Sequence, residues 1–330
     1  MGERLLRDSI DTLRVIYWYE GVKGRAGCNT PYALERMVES DAFGHNSYGD
    51  PYHKNKWSSY ERGERTPRKS LVERAETLFP GTQKALHHAL WKSLDINAYQ
   101  DDEWVDDIIG RLPPDLQVLL DEEGIRSDRH LTHKNPGRRL RTKLQRRASL
   151  DTLACATALT RQAIRLGDME NAYQIGGTAF NILLSLGRHF RDRKISKQLF
   201  GLYVDRVLAG LCGKGKRYYF ERYDFDCSAV MLDALARNVE GVRGMVLPEA
   251  DEMICKSKIL RGDYGFDSHS ALRPIEGPVV ALTDVGEDEI RDFELDVRLQ
   301  AWGWENVIQG DKDRFPPSGL FLSSDGGGSE

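Results

Sequence analysis

Leu71, Val72, Ala75, Leu78 and Phe79 recur at the i, i+1, i+4, i+7, i+8 spacing of one buried stripe on an amphipathic helix. That stripe constrains the whole stretch 54–80, KNKWSSYERGERTPRKSLVERAETLFP. Upstream of it a shorter, polar helix carries Trp57 and Tyr60 on one face and stops at Gly63, a residue type that tolerates the positive φ of a helix C-terminus. Pro67 then opens the second helix, at a first turn where its missing N–H costs nothing. The polar side of the shorter helix presents Lys54, Asn55, Lys56, Ser58, Ser59 and Arg62.

Residues 57–76, WSSYERGERTPRKSLVERAE, resemble the recognition helix, following turn and fourth helix of the Cro-repressor-like (Xre-type) helix-turn-helix family. In that family a Ser-rich basic helix ends in E-x-G-x-x-x-P, and here Glu61, Gly63 and Pro67 stand at those places. A looser likeness extends through residue 100. The resemblance implies that Trp57 and Tyr60 are core and that Lys54, Asn55, Lys56, Ser58, Ser59 and Arg62 face double-stranded DNA, with Arg65 and Arg68 beside them. It also implies binding as a homodimer in a prokaryotic or phage setting. An α-helix fits the major groove, where Arg or Lys bonds guanine edges and Asn bonds adenine, while Ser and the remaining cations hold phosphates. The same residue types also populate an ordinary solvated helix face, which is the alternative reading. The segment Asp41–His53 departs from the family pattern: it separates the preceding helix, expected over Thr30–Ser40, from the recognition helix, where the motif turns in about 3–4 residues. This insertion is either a DNA-contacting wing or the mark of a fold turned to another use.

The net charge of −4 and pI near 6.1 exclude a wholesale polyanion binder, so any DNA contact has to come from a local patch. A second such patch is 126–147, RSDRHLTHKNPGRRLRTKLQRR, in which Asp128 is the one acid. It reads either as a clamp on nucleic-acid phosphates, through Arg138, Arg139, Arg141 and Lys143, or as a linker whose charge is balanced by acids elsewhere in the chain. With 330 residues, 40% of them hydrophobic, the chain can bury two ordinary cores. The expected organisation is a helix-turn-helix-like domain over 1–112, a basic linker over 113–148, an α-helical regulatory or association domain over 149–322 and a disordered tail over 323–330.

The fold class expected is mainly α. A first helix over Arg4–Gly21 carries Ile10, Leu13, Ile16 and Tyr17; Thr30 caps a second, with Pro31 at its first position and Leu34, Met37 and Val38 inward. Further helices are expected over 84–94, near 103–112, and over 149–166, 171–186, 197–211, 227–239 and 249–262; 149–166 and 171–186 form an antiparallel pair. A small β element near the C-terminus rests on V-V-A-L at 279–282 and F-E-L-D-V-R-L at 293–299, although the acids around the second also fit a helix. R-Y-Y-F-E-R-Y-D-F, from Arg217, reads as a strand or as aromatic packing at a helix start.

Catalytic and cofactor motifs are missing from the sequence: it has no G-x-S-x-G, H-E-x-x-H, Walker loop or strand-borne G-x-G-x-x-G. No cofactor and no metal are expected, because Cys28, Cys155, Cys212, Cys227 and Cys255 are scattered and read as reduced, mostly buried thiols. Adjacent His87 and His88 point to different places on a helix and cannot share a ligand. No run reaches the roughly 18 apolar residues of a membrane span, and the start lacks a signal peptide's apolar centre, so a cytoplasmic protein is expected. Three function classes follow: a DNA-binding transcriptional regulator whose helical C-terminal part mediates oligomerisation or senses a partner, a protein-interaction component of a toxin–antitoxin or phage-defence assembly with a docking domain of helix-turn-helix shape, and, behind both, an enzyme whose site is assembled from distant positions.

Overall fold

The Asp8 carboxylate accepts the Ile10 N–H and starts α1, Ser9–Ala26, which Gly27 closes at φ +63. The computed structural model describes residues 8–45, 48, 51–53, 55–95, 102–132, 134–239, 247–280, 286–310 and 314–321. The tail over 323–330 and the first residues of the expected N-terminal helix lie outside them. The helix runs five residues beyond its expected end, through Gly21 and Gly24, because the left-handed cap comes only at Gly27. Thr30 caps α2, Pro31–Val38, by accepting the Ala33 N–H, with Pro31 at the first position. Leu34 and Val38 are buried, but Met37 is 51% exposed and belongs to the outer face. The insertion folds in part as an antiparallel hairpin, β1 Phe43–His45 on β2 Pro51–His53, pairing Phe43 with His53 and His45 with Pro51.

Three short helices complete this part: α3 Trp57–Glu61, α4 Lys69–Leu78 and α5 Thr82–Leu86. Gly63 has φ +67, and a Cβ there would stand 2.7 Å from both the Thr12 carbonyl oxygen and Cγ2, so glycine is required by conformation and by space. The second helix begins at Lys69, two residues later than expected, with Pro67 buried in the turn before it. Leu71, Val72 and Ala75 are buried, Phe79 is half-buried and Leu78 is 48% exposed, because the helix ends before the stripe does.

α1 serves two cores. Val15, Trp18, Tyr19 and Val22 pack with Leu34, Val38, Trp57, Tyr60, Leu71 and Ala75 in a small aromatic cluster. Ile10, Leu13 and Tyr17, on another face of the helix, enter a larger cluster that reaches Leu272. That larger core is built from α6 Ala89–Leu94, α7 Asp102–Gly110, α8 Pro114–Glu122, α9 Arg138–Arg146, α10 Leu150–Arg165 and α11 Met169–Ser185. After α11 it adds α12 Gly187–Asp192, α13 Ser196–Tyr203, α14 Phe225–Asn238, α15 Glu249–Leu260 and α16 Phe266–Leu272. At its centre α10, capped by a Ser149–Thr152 box, lies antiparallel to α11 with Ala154, Cys155, Ala156 and Ala158 fully buried. Residues 113–148 contribute α8, α9 and a two-residue ladder, β3 Arg126–Ser127 on β4 His130–Leu131, and bury Leu116, Leu119, Leu140 and Leu144.

The β element is a three-stranded antiparallel sheet in the order β5 Cys212–Gly213, β6 Lys216–Tyr219, β7 Ile275–Pro278. Strand β6 takes up the start of the aromatic run expected there. Residues 293–299 are not a strand: they lie in α17, Glu287–Gln309, whose first turn carries Glu287, Asp288 and Glu289 where the helix dipole favours acids. Their apolar alternation also places Leu295, Leu299 and Trp302 at i, i+4, i+7. Of V-V-A-L, Val279 and Val280 follow β7 and residues 281–282 lie outside the described ones. Among the cysteines, all unpaired, only Cys155 and Cys255 are buried; Cys28 and Cys212 are half-buried and Cys227 is exposed. No helix among the described residues is long and apolar enough to cross a membrane.

Candidate nucleic-acid interface

The side chains of α3 divide as an amphipathic helix must. Trp57 and Tyr60 turn inward, 0% and 5% exposed, with the Trp57 ring stacked on Trp18 at 5.7 Å between centroids and Tyr60 set edge-on to both. The other positions are left at the surface. Asn55 is exposed at φ +48 and accepts the Ser58 hydroxyl at 2.7 Å; Ser58 and Ser59 are half-buried. Lys54 lies outside the described residues.

Two of the expected DNA-facing cations are engaged within the chain. Lys56 Nζ lies 2.6 Å from Glu39 Oε1, the Trp57 indole N–H donates to Glu39 Oε2 at 3.0 Å, and the Lys56 N–H donates to Glu35 Oε1 at 3.3 Å. Glu35, within α2, and Glu39, at its C-cap, therefore tie α2 to α3 through side chains across the insertion. Arg62 forms a fork on Glu64, with Nε and Nη2 at 2.6 and 3.0 Å. The bonds and charge of that pair raise the Arg62 pKa and lower that of Glu64.

Arg65, in the turn, and Arg68, at the N-cap of α4, are exposed and carry no ion pair among the described residues. Beside them Lys69 reaches Glu73 only at 3.8 Å, while Arg74 is held by Asp41 at 2.6 Å. Among the described residues of this unit, the α3–α4 turn thus offers freely available positive charge, as do the exposed Arg25 on α1 and Arg36 on α2. α3 itself is short, about 7 Å along its axis, so a groove would meet the helix and this turn together.

The second basic patch is split by helix geometry. On α9, Arg139 and Lys143 turn to Glu123, at 3.4 and 2.9 Å, whereas Arg138 and Arg141 face a cavity on the other side. Positions 138 and 141 share one face and 139 and 143 another. The four do not form one surface.

Two pairs escaped the sequence reading because their members are far apart in the chain. His88 is the N-cap of α6: its Nδ1 accepts the Leu90 N–H, so Nε2 carries the proton and donates to Asp151 Oδ1 at 3.0 Å. Burial alone would raise the Asp151 pKa, but the His88 bond and the Lys84 charge and bond outweigh it and the pKa is lowered. His87, the residue before it, is exposed; the helix expected over 84–94 breaks at this pair into α5 and α6, so neither histidine lies within a helix. The Tyr17 hydroxyl meets His189 Nε2 at 2.7 Å beside the same cavity, of about 510 Å³, which His88 and Asp151 line.

Burial, with the Arg193 charge adding to it, pushes the His189 pKa down to about 4. An unfolded His titrates near 6.5, so the unfolded chain takes a proton there before the folded one does. Stability is therefore expected to fall as pH drops from about 6.5 to about 4, by roughly 3 kcal/mol from this group. Urea midpoints of wild type and His189→Gln at pH 7, 5 and 4 check this: the variant should lose that part of the acid-side slope, and parallel curves would contradict it.

No family model, curated protein or solved structure matches the chain.

Proposed function

We propose that the protein binds double-stranded DNA, as a homodimer acting in transcription regulation, through the unit built from α1 to α5, with Arg65 and Arg68 as leading phosphate or base contacts. The carrying observation is that Arg65 and Arg68 stand exposed and unpaired, among the described residues, directly after a helix whose apolar side is locked into the core. Asn55, Ser58 and Ser59 supply neutral groups beside them. Lys56 and Arg62 contribute less, because a DNA phosphate has to displace Glu39 or Glu64 to reach them.

The test is selection of a duplex from a randomised pool, followed by fluorescence anisotropy with the winner at several salt concentrations. Replacing Arg65 and Arg68 together by Ala should weaken binding about tenfold or more and reduce the slope of log K against log salt by about 0.9 per lost phosphate contact. The single Lys56→Ala and Arg62→Ala changes should cost less. Unchanged affinity and slope in the double variant would count against the assignment.

The carboxylate pairing of Lys56 and Arg62 favours one other reading, in which the same face docks a protein partner in a toxin–antitoxin or phage-defence assembly. Such docking should survive salt that abolishes phosphate contacts.

A further inference from the structure

The side of α9 turned away from Glu123 forms one wall of a second cavity. α11, strand β6, the end of α15, His269 of α16 and the residues between α16 and β7 supply the others, and the open cleft has a volume of about 430 Å³, within the range of small-molecule sites. Four arginines line it, Arg138, Arg141, Arg261 and Arg273, against the carboxylates Asp263 and Glu276.

Two of the four are balanced: Arg261 by Asp263 at 2.7 Å and Arg273 by Asp296. The other two are not. Arg138 is exposed, with no ion-pair partner among the described residues. Arg141 is half-buried and held by neutral oxygens, the Gln174 amide at 2.5 Å and the Pro136 carbonyl at 3.3 Å. A guanidinium taken from water without a carboxylate is a site that an anion stabilises. Consistent with that, burial first, and then the Arg138 charge, lower the Arg141 pKa, outweighing the raising effects of Tyr218 and of the Glu170 carboxylate, which does not reach it as an ion pair.

Arg138 and Arg141 stand three residues apart on one helical face, a spacing that lets two planar forks converge on one phosphate. The cavity is larger than a bare ion needs. Next to the arginines it offers the stacked rings of Tyr173 and Tyr218, 4.3 Å apart and nearly parallel, and the Glu276 carboxylate, an acceptor for hydroxyl or amino groups. From this arrangement we infer that the cavity binds a small organic phosphomonoester, up to a nucleoside monophosphate in size, with Arg138 and Arg141 on the phosphate and the tyrosine–Glu276 side on the organic part. The inference is independent of DNA binding, which uses another part of the chain.

Isothermal titration of the full chain with adenosine 5′-monophosphate, ribose 5-phosphate, inorganic phosphate and adenosine tests it. At least one of the two organic phosphates should bind saturably at one site per chain, more tightly than inorganic phosphate, and adenosine should not bind. Arg141→Gln should weaken that binding about tenfold or more. Arg138→Gln, which removes an exposed side chain and so leaves folding intact, should weaken it in the same direction, and Arg139→Gln, on the other face of α9, should leave it unchanged. The proposal is overturned if neither organic phosphate binds, if inorganic phosphate or adenosine binds as tightly, or if Arg138→Gln and Arg141→Gln bind like the wild type.

Discussion

Lys256→Ala is expected to lower the unfolding free energy by about 3–5 kcal/mol, because it leaves buried charge without its partner. The Lys256 side chain on α15 is 1% exposed, and its ammonium makes three contacts: Asp233 Oδ1 at 2.7 Å, Glu252 Oε1 at 2.7 Å and the Ser185 carbonyl at 3.2 Å. An ammonium has three donors, and all are used. Asp233, on α14, is itself 3% exposed, and its other oxygen accepts from Arg191 at 3.0 Å. Glu252 is one turn from Lys256 and partly open to solvent, so it can rehydrate when the ammonium is lost; Asp233 cannot. Lys256→Met should be nearly as costly as Lys256→Ala, since it restores volume but not charge. Adding Asp233→Leu to Lys256→Met should recover much of the loss, because the remaining Arg191 is 26% exposed and can turn to water. Urea unfolding of the four proteins measures this. A single variant within about 1 kcal/mol of wild type would mean that Asp233 finds another donor or water.

The same network marks the limit of what the sequence discloses. Its i, i+4 member, Glu252 with Lys256, is legible, because helical spacing alone sets it. Asp233 and Ser185 come from two other helices, and nothing local points to them. Caps were legible for the first reason: Thr30 on the Ala33 N–H, Ser149 on the Thr152 N–H and the positive φ at Gly63 all depend on residues within one turn. So was the inward side of α3, since Trp57 and Tyr60 are set by period.

What the outward side of α3 does was not legible. Lys56 and Arg62 read as free cations, yet Glu39, from another helix, holds the first, and the turn after Gly63 folds Glu64 back on the second. The patch at 138–143 left a phosphate clamp and an acid-balanced linker both open, because charge in a sequence has no direction. Leu140 and Leu144 fix the rotation of α9, and that rotation sends Arg138 and Arg141 to a cavity and Arg139 and Lys143 to Glu123. At 293–299 a period-two pattern competed with a helical one over a stretch too short to separate them, and the acids at 287–289 favour the helix by standing in the first turn of α17, where its dipole stabilises them.

Trp57→Ala is expected to cost about 3–5 kcal/mol as well, by a different route. The indole is fully buried, stacked on Trp18 and bonded through its N–H to Glu39, so truncation opens a cavity and releases a carboxylate that also holds Lys56. Trp57→Phe keeps most of the packing and loses the N–H bond, and it should cost closer to 1 kcal/mol for that bond. How the loss appears in an unfolding curve depends on α1. Val15, Trp18, Tyr19 and Val22 stand in the same small cluster as Trp57, while Ile10, Leu13 and Tyr17 stand in the large one, and a rigid helix cannot leave one core without disturbing the other. The variant should therefore unfold in one transition at lower urea, with far-UV and tryptophan signals coincident. If the proposed DNA binding holds, the variant should also bind DNA more weakly, because α3 and the Arg65–Arg68 turn are positioned by this core. Two separated transitions, with the larger at the wild-type midpoint, would show instead that α1 does not couple the cores and that the unit built from α1 to α5 is a domain of its own.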